Sequence, residues 1–183
     1  MIPTRGKVLI SEPFLPDPNF SRTVILITDH EDHGTVGFVL NQKTDFAVNM
    51  LLKELPNVNS TVFQGGPVDL ESFNFIHSYG HITGAIEISN NLYWNGDFKQ
   101  IQDELKDGSL DANNFKFFIG YSGWAPGQLA AELAEKSWIV GELESNYILS
   151  SEKEDKDLWK HAIRGIGGED SLLANSPLDP NLN

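Results

Sequence analysis

The chain has no cysteine among its 183 residues. Disulfides, thiolate metal sites and thiol nucleophiles are excluded by that absence, and a reducing compartment is expected. Positive charge is scarce: 13 Lys and Arg stand against 26 Asp and Glu, a formal net charge of −13. The basic residues are scattered rather than striped, so nothing is arranged to neutralise a phosphate backbone, and nucleic acid is disfavoured as a partner. Long hydrophobic runs are missing too. No stretch approaches the ~20 apolar residues of a membrane span. After Met1–Lys7 the apolar run Val8-Leu9-Ile10 stops at Ser11-Glu12-Pro13, so no signal peptide is read. The expectation is a cytoplasmic protein with no membrane contact. No G-x-x-x-x-G-K-[ST] and no G-x-G-x-x-G is present, so no cofactor is expected.

What is present is a globular balance of 40% hydrophobic and 21% charged residues, enough chain for one domain with a core. Val8–Ile10 reads as a short strand. Thr23-Val24-Ile25-Leu26-Ile27-Thr28 is β-branched and almost continuously apolar, which predicts a strand buried on both faces. The polar turn Asp29–Gly34 leads to a second strand over 35–40, an antiparallel hairpin. The three-proline segment Glu12–Phe20 can only be a loop, ordered because Phe14, Leu15 and Phe20 want burial. Asp45 is read as the cap of a helix to Leu55, with Phe46, Val48, Leu51, Leu52 and Leu55 as its apolar stripe.

Further strands are predicted over 61–64, 73–77, 84–88, 92–94, 115–119 and 138–140. Asp97 and Gly108 bracket a helix carrying Phe98, Ile101 and Leu105. Ser151-Glu152-Lys153-Glu154 reads as a capping box for a helix to about Arg164, and the tail from about 167 reads as irregular. Strands and helices mix without strict alternation, so the reading is a single α+β domain over 1–183 with a mixed sheet.

The segment Gly120-Tyr121-Ser122-Gly123-Trp124-Ala125-Pro126-Gly127-Gln128-Leu129 follows a strand and is read as a Gly-rich turn opening a helix at Pro126. Such a turn presents free backbone N–H groups to an anion or a carbonyl. Ser122 matches the first half of G-x-S-x-G, but Trp124 occupies the second glycine's place, so no catalytic residue is assigned. His77 and His81 have helical i, i+4 spacing within a strand-like pattern, and no third ligand is evident, so no metal site is assigned. Arg22, one of three arginines, is expected to pair with Asp17 or to clamp a ligand carboxylate. Gly65-Gly66-Pro67 can cradle a phosphate or simply reverse the chain.

Taken together, Asp17 through Val24, His30 with Gly34 through Asn41, Val62 through Val68, and Gly120 through Leu129 resemble the YqgE/AlgH family of bacterial proteins, over about residues 6–165. The resemblance implies a branched sheet curled into a pseudo-barrel with helices packed outside. It brings no activity; the family is linked by name to transcriptional regulation of alginate synthesis. Position 122 is commonly alanine in relatives, and the ending from Asn175 to Asn183 departs from the proteobacterial pattern.

The leading expectation is a non-catalytic binding or regulatory protein. Its groove, formed by Arg22, His30, Asn41, Gly65, Gly66, Ser122, Trp124 and Gln128, would hold a small anionic ligand or a protein segment. The alternatives are a hydrolase-like enzyme using Ser122 or a His base, His30 or His77, and a transcription regulator.

Overall fold

A run such as Val24–Ile27 has no polar side to turn to water, and the computed structural model, which describes residues 1–151 and 155–176, buries it on both faces. Ten strands are described: β1 (Val8–Ser11), β2 (Val24–Glu31), β3 (Gly34–Val39), β4 (Lys43–Ala47), β5 (Thr61–Gln64), β6 (Val68–His77), β7 (Ile86–Ser89), β8 (Leu92–Trp94), β9 (Phe115–Trp124) and β10 (Trp138–Gly141). Five α-helices accompany them: α1 (Val48–Leu51), α2 (Phe98–Asp107), α3 (Gln128–Ala134), α4 (Ser145–Leu149) and α5 (Asp155–Ile166).

The hydrogen-bonded path runs β10-β1-β2-β3-β9-β6-β8-β7, with β5 pairing both β9 and β4 beside it. Every pair is antiparallel except β5 with β9. The sheet is mixed and branched, as expected. Among the described residues its path is open, with β10 and β7 at opposite ends rather than closed into a barrel.

The branch lies on β9. Its first half pairs with β5 through Val62↔Phe117 and Gln64↔Ile119; its second half pairs with β3 through Gly37↔Ser122 and Thr35↔Trp124. At the changeover the chain leaving β5 must cross β9 almost in backbone contact. Gly65 N–H donates to the Ile119 carbonyl while its own carbonyl accepts from Val39 N–H, tying all three strands together. A Cβ on Gly66 would lie 2.3 Å from the Tyr121 carbonyl oxygen, and one on Gly65 2.6 Å from that of Gly120. Gly120 itself sits at φ +65. These glycines make the fork sterically possible.

Three apolar clusters hold the sheet. Alternation along β2 sends Val24 and Leu26 to the face covered by α5, and Ile25 and Ile27 to the opposite face, which is covered by Leu129 of α3 and by Trp124 and Trp138. A third cluster joins β5, β6 and the start of β9 to α2. α2 is built as its sequence predicts: the Asp97 carboxylate accepts from Gln100 N–H at 2.8 Å, and Gly108 ends it at φ +83.

Two expected elements are different. The helix expected over 45–55 is the strand β4 followed by the single turn α1. Val48 and Asn49 N–H donate to the carbonyls of Ser60 and Val58, and the Thr44 hydroxyl donates to the Val62 carbonyl. Pairing with 58–63 overrides the helical periodicity and leaves Phe46 48% exposed. The turn expected at 120–125 is strand, because β3 supplies ladder partners as far as Trp124. Only α3, seven residues beginning at Gln128, follows it.

The hairpin strand β2 runs on to Glu31, and Phe14 is exposed rather than buried. The tail from 167 carries a 3-10 helix, Glu169–Asn175, whose Leu173 and Ala174 pack on the α5 cluster. Part of the capping box read at 151–154, and the chain after Ser176, lie outside the described residues.

Candidate functional site

The expected groove residues part company across the sheet. Arg22, at φ +52, lays its guanidinium 4.8 Å from the centroid of Trp159 and donates to the Ser176 carbonyl at 2.9 Å, on the α5 side. It forms no ion pair with Asp17, whose carboxylate instead accepts from Asn19 N–H and shapes the loop. Buried Asn41 accepts from Val24 N–H and donates to the Arg22 carbonyl, both at 2.9 Å, which fixes the entry to β2. His30 Nδ1 lies 2.7 Å from the Thr35 hydroxyl, within the β2–β3 hairpin.

Gly65 and Gly66 belong to the fork, where a side chain on either would meet the carbonyl oxygens of β9. Ser122 is 0% exposed and donates to the Gly65 carbonyl at 3.0 Å, so its hydroxyl is spent inside the sheet and out of a substrate's reach. Ser122→Ala is expected to cost about 1 kcal/mol, one ordinary hydrogen bond, as read from the urea midpoint. Gly123 has no positive φ and faces solvent. The backbone strain that a side chain would meet there at positive φ is therefore absent.

His77 and His81 have separate partners. His77 is fully buried in β6, with Nε2 donating to the Asn95 carbonyl and Nδ1 accepting from Tyr79 N–H. His81 pairs with Glu104 at 2.7 Å. No group of three or more metal-ligating side chains occurs among the described residues. Burial holds the His77 imidazole below its ordinary value; the bond to Asn95 works against that, and the nearby His81 adds to it.

The unfolded chain therefore binds the proton first. Stability falls as the pH drops from neutrality through about 6.5 toward the lower folded value, by up to about 1.4 kcal/mol per pH unit. Urea titrations between pH 7.5 and 5 should show a shallower slope for His77→Phe than for the parent chain; equal slopes would refute this role.

Trp124 and Gln128 do take part in a concave site, with partners that the sequence reading did not select. At the end of β9, Trp124 Nε1–H donates to Glu132 Oε2 at 2.8 Å, and Trp138 Nε1–H, from the start of β10, donates to the same oxygen at 2.7 Å. Gln128 donates through its amide to Glu132 Oε1 at 2.9 Å and accepts from Ala125 N–H at 3.0 Å, closing the start of α3.

Phe20, delivered by the proline-rich loop, completes the aromatic group. Its ring centroid is 6.4 Å from Trp124 with planes inclined 25°, and 5.5 Å from Trp138 edge-on. The two indoles meet edge-to-face at 5.9 Å. Between them lies a cleft of about 280 Å³, whose lining includes Asp17, Phe20, Trp124, Gln128, Glu132 and Trp138. The signal available in sequence was the i, i+4 pair Gln128 and Glu132 on one helical face, with Trp138 just beyond it.

The chain matches a family model described as AlgH-like over residues 8–171. A protein of Cytophaga hutchinsonii is 38% identical over 182 residues, covering 98% of this chain and 99% of that protein; one of Bacteroides thetaiotaomicron is 38% identical over 184 residues, covering 100% and 93%. Both carry the name UPF0301 protein. Among solved structures, a protein of Corynebacterium diphtheriae superposes with a TM-score of 0.79 at 24% identity, covering 96% of this chain and 94% of that one, and shares the fold. The solution structure of the AlgH protein from Pseudomonas aeruginosa superposes with a TM-score of 0.72 at 25% identity, covering 97% of each. No described helix is long and apolar enough to cross a membrane.

Proposed function

The chain belongs to the AlgH-like family, and from that premise we propose that it is a non-catalytic binding protein that receives a protein segment in the cleft between the 12–20 loop, α3 and β10. The observation that carries this reading is the convergence of Phe20, Trp124 and Trp138 on one concavity with the Glu132 carboxylate fixed beneath them. Aromatic-lined concavities with a few oriented polar groups are the usual form of a binding site, and buried aromatic anchors dominate binding energies.

The lining holds two carboxyl side chains, Asp17 and Glu132, and no Lys, Arg or His. That composition supports a protein segment over a small anion. The buried, engaged hydroxyl of Ser122 supports binding over hydrolysis.

The test is a displayed library of random peptides selected on the parent chain and re-screened on Ser137→Phe. This substitution adds bulk at a half-exposed residue that lines the cleft. Selected peptides are expected to lose binding to the variant while its melting stays near that of the parent. Peptides that bind both chains equally would overturn the placement.

A further inference from the structure

We infer that the cleft selects a cation, the guanidinium of an arginine side chain presented by the bound segment; this rests on the segment-binding reading and names its chemistry. Phe20, Trp124 and Trp138 line the cleft, and a guanidinium, planar and weakly hydrated, is the biological cation that best tolerates leaving water for an aromatic surface. Two carboxylates, of Asp17 and Glu132, line the cleft, and no Lys, Arg or His lines it with them.

Glu132 is held in place: two indole N–H groups and the Gln128 amide already bind it. A carboxylate has roughly four acceptor sites, so about one is left for a donor from the cleft. Asp17, exposed, also lines the cleft, with its carboxylate oriented by Asn19 N–H at 2.8 Å. A volume of about 280 Å³ suits one long side chain rather than a whole folded element. The chain's net charge of −13 adds a long-range field that draws cationic segments in.

The test uses two small probes, N-acetyl-arginine methylamide and its citrulline counterpart, which is nearly isosteric and planar but neutral. Each is titrated against the full chain while the four indole N–H signals are followed by NMR. The indoles of Trp124 and Trp138 report directly, because both donate to Glu132. The arginine probe is expected to move these two signals saturably and to leave those of Trp94 and Trp159 in place. The citrulline probe is expected to bind at least fivefold more weakly. Raising salt from 50 to 500 mM should weaken the arginine probe. Asp17→Asn, which keeps the oxygen that accepts from Asn19, should weaken it at least threefold.

Equal binding of the two probes, or no effect of either salt or Asp17→Asn, would overturn the cationic assignment and leave segment binding standing. Selected peptides that depend on the cleft but lack arginine would do the same. If neither the probes nor any selected peptide moved the signals of Trp124 and Trp138, both readings would fall.

Discussion

Gly66→Ala is expected to destabilise the chain by about 4 kcal/mol, near the upper end for a single substitution. The added methyl would lie 2.3 Å from the Tyr121 carbonyl oxygen and 2.4 Å from the Ser122 hydroxyl. These atoms belong to the strand that carries the branch, and that strand is held by β3 on one edge and β6 on the other. Neither side can move without breaking ladder bonds.

Gly127→Ala is the control. Gly127 also has positive φ, +80, but nothing lies within 4 Å of its added carbon. Only the left-handed backbone penalty of about 1–2 kcal/mol should appear there. Urea unfolding of both variants separates the two causes. Similar losses would mean that backbone conformation, not close approach, explains the glycines at the fork.

Glu132→Ala should carry the second large effect, about 3 kcal/mol. It leaves the buried indole N–H groups of Trp124 and Trp138 without their acceptor, and an orphaned buried donor costs about 1–3 kcal/mol. Glu132→Gln keeps one oxygen for the indoles but turns an amide toward the Gln128 amide, so a loss of about 1 kcal/mol is expected. Chemical denaturation together with the indole N–H signals checks the order. If Ala and Gln cost the same, the carboxylate does not organise the cleft.

The strands and the capped helix α2 were legible in the sequence because their signals are local. The β-branched run of β2, the turn of the hairpin, and Asp97 with Gly108 each act within a few residues. The segment 45–55 misled because its apolar spacing suits a helix, while its backbone partners lie at 58–63. No short window holds that information.

The same applies at 120–124, where β3, some 85 residues earlier in the chain, supplies the ladder that turns an expected loop into strand. Trp124 and Gln128 stood out because they stand beside glycines after a strand, and both line the cleft. Phe20, Glu132 and Trp138 line it too, but beyond the i, i+4 spacing of Gln128 and Glu132 their convergence depends on three separate segments. Arg22, Asn41, Gly65, Gly66 and Ser122 stood out for their residue type, and the structure gives each of them a partner or a close approach within the fold.

The most direct test of the cleft as a binding site is to titrate a library-selected peptide into the full chain and read the four tryptophan indole N–H resonances. The account predicts that Trp124 and Trp138 move together and saturate while Trp94 and Trp159 hold still. Movement confined to Trp94 or Trp159, with Trp124 and Trp138 unchanged at saturation, would contradict it.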